Sequence, residues 1–99
     1  MWSLIPMYKT IWMFEVAPES QDKFEKVYGS KGDWAMLFRK SDAYIGSELF
    51  RNINGLSYVT IDSWKSPQDF ENFKIKWEKE YHILDHECEC LTRAETRIL

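Results

Sequence analysis

Tyr58-Val59-Thr60-Ile61-Asp62-Ser63-Trp64-Lys65-Ser66-Pro67 is the stretch that decides the fold of this chain. Alternating β-formers run into Ser66, a helix N-cap residue, with Pro67 at the first helical position and Asp69 three beyond the cap. The predicted helix carries Phe70, Phe73, Trp77, Tyr81 and Leu84 at spacings of three and four. A strand with one carboxylate, Asp62, in its middle thus feeds a helix whose inner face is mostly aromatic. Such a junction can wall an apolar pocket and place one ionisable group inside it.

Towards the N-terminus, Tyr8 to Val16 reads as a first strand, with Tyr8, Trp12, Phe14 and Val16 on one face and Ile11 and Met13 on the other. Pro18 opens a helix with Glu19 and Asp22 in its first turn, at the positive end of its dipole. Phe24, Val27 and Tyr28 form the core stripe of that helix, and Gly29 is placed to cap its end. Asp33 can cap a short helix through Trp34, Leu37 and Phe38. Ala43 to Arg51 reads as a second strand, and Asn52 to Gly55 supplies turn residues for a hairpin into a third, Leu56 to Lys65. The long helix from Pro67 is expected to break or bend between Tyr81 and Leu91, before a short last strand, Ala94 to Leu99.

Four strands and two principal helices in this order predict an α+β, ferredoxin-like βαββαβ sandwich, one domain over residues 1–99, with both helices on one sheet face. The first strand is apolar on both sides, so the uncovered face would expose a large patch in a lone subunit. A second copy packed face to face removes it, and a homodimer is expected. A chain of 99 residues gains from such association because small domains bury a smaller fraction of their surface.

Composition narrows the function. The chain is 44% hydrophobic and 29% charged, with a net charge of −3 and basic residues interspersed with acids. No basic stripe marks a nucleic-acid or anionic-membrane partner. No segment approaches transmembrane length, and Pro6 interrupts the apolar run from Met1 to Met7 well short of a signal sequence. Cys88 and Cys90 diverge by roughly 200° on a helix and cannot pair there, which fits a reduced, cytoplasmic setting. The aromatic fraction, 16% with five Trp, is high and calls for a use.

The whole chain resembles the antibiotic-biosynthesis-monooxygenase-like family of the dimeric α+β barrel group. The resemblance runs through Trp12-x-Phe14-Glu15-Val16-x-Pro18, Phe24-x-x-x-Tyr28-Gly29 and Gly32-Asp33-Trp34-x-x-Leu37-Phe38-Arg39. It continues in Tyr44-x-Gly46-x-Glu48-Leu49, Tyr58-x-Thr60-x-Asp62-x-Trp64-x-Ser66, Phe70-x-x-Phe73 and Tyr81-x-x-Leu84-Asp85. The order of these elements carries the likeness. It implies a homodimer with a pocket between sheet and helices in each subunit. Some members of the family oxidise polycyclic phenols to quinones with molecular oxygen and no bound cofactor, whereas others bind haem and open its ring.

The haem-degrading pattern implies an Asn on the first strand and a Trp and a His on the last long helix. Here Phe73 stands at the Trp position, His82 lies within about one position of the His, and the Asn position falls near Trp12. Only the histidine is matched, so haem is the lesser alternative. The cofactor-free branch demands an apolar pocket, a proton acceptor and exclusion of water, because a deprotonated electron-rich phenol can itself pass an electron to oxygen.

Pocket-wall candidates are Trp12, Phe14, Trp34, Phe38, Tyr58, Phe73, Trp77 and Tyr81, each with ordinary core packing as its plainer explanation. Trp64, beside the helix cap, reads as structural. Asp62 is the first proton-transfer candidate, since burial would raise its pKa; otherwise it accepts hydrogen bonds or sits at the dimer contact. His82, next to the aromatic stripe, is the second, with an exposed flank histidine as the alternative. Tyr58 could donate a hydrogen bond to a phenolate, although strand tyrosines commonly just pack.

His82, His86 and Cys90 recur every four residues, but the first and last lie about 12 Å apart along a helix, too far for one tetrahedral ion. No metal site is expected. Gly-rich phosphate loops and a nucleophile elbow are both missing from the sequence. Two roles therefore stand: a cofactor-independent oxygenase acting on a small aromatic or polycyclic phenolic metabolite, with Asp62 and His82 as its proton carriers, or a non-catalytic dimer that binds a hydrophobic ligand.

Overall fold

The computed structural model describes residues 7–53 and 55–99, so the expected features at Met1 to Pro6 and at Asn54 of the hairpin turn lie outside the described residues. Strand β1 (Tyr8–Val16) is followed by a single 3-10 turn (Pro18–Ser20), α1 (Gln21–Tyr28) and α2 (Asp33–Phe38). A hairpin of β2 (Tyr44–Arg51) and β3 (Ser57–Trp64) leads to α3 (Pro67–Lys76), α4 (Glu78–Cys88) and β4 (Thr92–Arg97). The sheet order is β2-β3-β1-β4, and every pairing is antiparallel. This is the ferredoxin-like βαββαβ arrangement expected from the element order.

The junction after β3 forms as its residues dictate. Ser66 is extended at the cap, its Oγ accepts the Asp69 N–H at 3.1 Å, and the same hydroxyl donates to the Asp69 carboxylate at 2.7 Å. Two bonds thus satisfy the helix start and the cap side chain together. Gly55 closes the β2–β3 turn with a φ of 81°, a conformation only glycine adopts without strain. Gly32 lets α2 start against the end of α1, where a Cβ would overlap the carbonyl oxygens of Lys26 and Val27.

Three local expectations are corrected, and the cap at Gly29 holds. Gly32, not Asp33, is the N-cap of α2, and Asp33 is its first helical residue, where its charge suits the dipole. Gly29 caps α1 as expected, in an extended conformation with its N–H bonded to the Glu25 carbonyl. The last strand begins at Thr92 because an irregularity between Glu15 and Val16 allows Thr92 to pair with Val16. The long helix breaks at Trp77, earlier than expected, although no glycine or proline is present there.

The aromatic stripe stays with one core across the break, since Trp77, Tyr81 and Leu84 all pack against it. Phe70 and Phe73 of α3 pack with Leu37, Phe38 and Trp64. Cys88 of α4 joins Phe14, Val16, Phe24, Val27, Tyr58 and Leu91 in the other cluster. Trp34 and Leu84 touch both. The helices lie on one side of the sheet, over Thr10, Phe14 and Val16 of β1 and Tyr58, Thr60 and Trp64 of β3, all buried. The opposite side carries Ile11, Met13, Val59, Ile61 and Phe50, with Met13 42% and Phe50 50% exposed. Among the described residues no helix is long and apolar enough to cross a membrane. Cys88 is buried and Cys90 exposed, both as free thiols.

Candidate functional site

Where the two aromatic clusters meet, a cavity of about 190 Å³ opens between sheet and helices. Trp12 and Phe14 from β1, Ser47 from β2, Thr60 and Asp62 from β3, and Glu95 from β4 form its floor. Tyr28, Trp34, Phe38, Tyr81 and Asp85 close it from the helices. Strand alternation explains the floor: Ser47 pairs with Asp62, which pairs with Thr10, and residues two apart on each strand share the inner face.

Asp62 sits in the middle of the sheet, partly buried. Its carboxylate accepts a hydrogen bond from the Ser47 hydroxyl at 2.5 Å, and the Thr10 hydroxyl supports it from the other side. Burial pushes this carboxyl above the usual carboxylate range, and the two hydroxyls offset part of the rise. Ser47 Oγ in turn lies 2.5 Å from the Tyr44 hydroxyl. Tyr44 and Ser47 are three residues apart yet share the inner face, because a bulge between Tyr44 and Gly46 inserts Ile45 as an extra residue. A hydroxyl chain therefore runs from Asp62 to the outer strand of the sheet.

Tyr81 faces Asp62 from the helix layer. Its hydroxyl pKa is pushed up to about 12, chiefly by burial and then by the negative charge of Asp85. It stays protonated at neutral pH and can donate a hydrogen bond to an anionic oxygen in the cavity. Burial likewise raises the Tyr28 hydroxyl and the Cys88 thiol, which neighbour each other. The Trp34 indole N–H is buried with no acceptor of good geometry among the described residues. At the mouth, Glu95 is raised by desolvation first and then by Asp85 and Glu89.

The structure brings together six of the ten residues singled out from the sequence: Asp62, Trp12, Phe14, Trp34, Phe38 and Tyr81. Four lie elsewhere. Tyr58 is buried beneath α1, its ring 4.8 Å from Phe24 and its hydroxyl donating to Glu25 at 2.5 Å. Phe73 is 3% exposed inside the second cluster, between Phe38 and Trp64. Trp77 occupies the helix break on the far side, where Lys40 lies 4.8 Å from its ring. His82 points to solvent, 70% exposed, with Glu78 3.9 Å from its Nε2. Phe73 and Trp77 pack in the cluster beneath α3, and His82 lies on the outer flank of α4.

Five further lining residues were not singled out in the sequence as pocket residues. Asp85 follows Tyr81 by four, a helical signal that could have found it. Thr60 shares the inner face of β3 with Asp62. Tyr28 reads as core, and Ser47 and Glu95 become site residues only through cross-strand register. Among the described residues no group of three or more His, Cys, Asp or Glu is placed to hold a metal ion. Haem does not fit the lining either, since it offers neither a histidine nor a cysteine and His82 faces solvent.

No protein-family model matches the chain, and no curated protein matches it. Solved structures do. One from Nitrosomonas europaea, provisionally named an antibiotic biosynthesis monooxygenase, superposes with a TM-score of 0.70 at 12% identity, covering 99% of this chain and 91% of that one. SnoaB, a cofactor-independent oxygenase from Streptomyces nogalater solved in a mutant form, superposes with a TM-score of 0.74 at 17% identity over 92% and 89% of the two chains. A third, named antibiotic biosynthesis monooxygenase, reaches 0.63 at 16% identity over 91% and 92%. At such identities the likeness is one of fold. The chain has the ferredoxin-like α+β fold of the antibiotic biosynthesis monooxygenase structures, the family its sequence resembles.

Proposed function

We propose that this protein is a cofactor-independent monooxygenase that oxidises a small electron-rich phenol with molecular oxygen. The observation that carries the proposal is Asp62, a carboxyl of raised pKa hydrogen-bonded to Ser47 on the floor of an aromatic cavity. A carboxylate of raised pKa is a better base for a phenol than an ordinary one, and the rings around it limit water. SnoaB, a cofactor-independent oxygenase of the same fold, supports this reading.

Asp62 takes the phenol proton, and the phenolate gives electrons to dioxygen. A bond forms between a ring carbon and oxygen, and the proton held by Asp62 passes to the resulting peroxide. Loss of the hydrogen on that carbon together with cleavage of the O–O bond expels water and leaves a quinone. One phenol and one dioxygen thus give one quinone and one water, with no external reductant. Tyr81 is placed to donate a hydrogen bond to the phenolate or peroxide oxygen.

We further propose a homodimer joined through the open sheet face, where Ile11, Met13, Phe50, Val59 and Ile61 form the apolar surface that needs a cover. A reducing compartment such as the cytoplasm suits the two free thiols.

The test is oxygen uptake and quinone absorbance with a panel of one- and two-ring phenols, in the absence of added metal or flavin. Asp62→Asn is expected to lower turnover by about 10²-fold or more. Equal turnover in Asp62→Asn refutes the mechanism, and binding of the panel without oxidation assigns the protein a ligand-binding role instead.

A further inference from the structure

The cavity has an electrostatic character that its aromatic walls conceal. The charged side chains lining it are all acidic: Asp62 on the floor, and Asp85 and Glu95 at the mouth. Among the described residues neither the Asp85 nor the Glu95 side chain has a hydrogen bond or an ion pair. The guanidinium of Arg97, two residues beyond Glu95 on β4, acts on Tyr81 of the lining but is not itself a lining residue, and its hydrogen bonds go elsewhere. Its Nη2 donates to the Tyr8 hydroxyl at 2.7 Å and its Nε to the Leu99 carbonyl at 3.2 Å.

We infer that the cavity takes a phenolic amine, a one- or two-ring aromatic whose hydroxyl faces Asp62 and whose protonated amino group is held at the mouth by Asp85 and Glu95. The inference deepens the oxygenase proposal and rests on it for the orientation of the hydroxyl.

Size comes first. The volume of about 190 Å³ is little more than that of an apolar cavity that holds benzene, roughly 150 Å³, and falls below the roughly 300 Å³ of pockets for larger ligands. Charge comes second. An anionic ligand would meet three acidic side chains and no cation among the lining residues, whereas an ammonium group would relieve the repulsion between Asp85 and Glu95. The faces of Trp12, Trp34 and Tyr81 favour a cation as well. Chemistry comes third. Forming a phenolate beside these carboxylates is unfavourable unless positive charge is near, and the lining residues supply none. A cation carried by the ligand itself fills that gap.

The arrangement agrees. Asp62 pairs with Thr10, and Glu95 pairs with Phe14, four residues further along β1. At the backbone that separates the two by about 13 Å along the strands and, across β1, by two strand spacings or about 10 Å. The hydroxyl and amino group of a phenol with a short aliphatic tail also lie at opposite ends of the molecule.

Three probes with one ring and different tails test the inference: dopamine, ethylcatechol and dihydroxyphenylacetate, titrated under nitrogen against tryptophan fluorescence. Each mouth carboxylate should contribute about two- to fivefold, so the amine should bind roughly tenfold more tightly than the neutral probe. The acid should bind most weakly, and the preference should shrink as salt rises. In a double variant, Asp85→Asn with Glu95→Gln, the three affinities should converge to within about twofold. Equal or tighter binding of the acid overturns the inference, as does an amine preference that survives the double variant. Amine-selective binding with no oxygen uptake in air supports the ligand class and refutes the oxygenase. Oxidation of ethylcatechol with no preference for the amine does the reverse.

Discussion

Replacing Phe73 by alanine should cost far more stability than its place in an aromatic stripe near a cavity would suggest. The ring is 3% exposed and sits 5.5 Å from Phe38 at 78° and 5.2 Å from Trp64 at 47°. Removing it forfeits roughly 2–3 kcal/mol of transfer free energy. Two aromatic pairs add about 0.5–1.5 kcal/mol each. Trp64, itself 0% exposed, and Phe38 cannot collapse into the space, so a void remains and the total comes to about 3–5 kcal/mol. Urea denaturation followed by far-UV circular dichroism, at fixed protein concentration, is the assay. With a slope of about 2 kcal/mol per molar, the midpoint should fall by about 2 M. Trp12→Ala is the control. Trp12 lines the cavity, is partly exposed and has one ring neighbour, Phe14 at 6.3 Å, so its removal widens an existing space at a cost of about 1–2 kcal/mol. A Phe73→Ala loss below about 1.5 kcal/mol, or one no larger than that of Trp12→Ala, would refute the assignment of Phe73 to the core.

Asp62 should leave a signature in the pH dependence of stability. Its folded pKa lies above its unfolded value, so between those two values the folded state holds the extra proton. Stability should therefore fall as pH rises through that window and level off above it. Asp62→Asn should abolish this fall, and a fall of unchanged size in the variant, measured by urea midpoints from pH 3.5 to 8, would remove Asp62 as its source. His82→Ala should change stability by less than about 0.5 kcal/mol and leave oxidation rates unaltered, because the ring is in solvent; a large loss of turnover would return it to the site. Met13→Glu, which places a charge on the open sheet face, should shift sedimentation from dimer to monomer, and a variant that stays dimeric would locate the interface elsewhere.

The element order was legible because its signals are local. Period-two alternation marks β1 and β3, and Ser66-Pro67 marks the start of α3 without any help from distant residues. From the alternation of β3 it also follows that Asp62 shares a face with Tyr58, Thr60 and Trp64, and this is why the central carboxylate of the site could be named in advance. The break at Trp77 carries no such local signal. Lys76-Trp77-Glu78 contains no helix breaker, and Trp77 leaves the helical region there, at φ −111° and ψ 28°, while packing against the cluster of Phe38, Trp64 and Phe73. Read as one continuous stripe, the helix grouped Phe73 and Trp77, which pack in the core cluster, and His82, which faces solvent, with Tyr81, which does line the cavity.

Sequence alone therefore determined the fold class, the amphipathic faces and the presence of one carboxylate on the inner side of the sheet, because each depends on residues a few positions apart. Tertiary structure decided which aromatic rings line space and which fill it. It also decided that Ser47, Asp62 and Thr10 meet in one row, and that Asp85 and Glu95 stand unpaired at the mouth. Those facts depend on strand register and on the docking of α4. They arise from contacts between residues far apart in the chain, where no local periodicity records them.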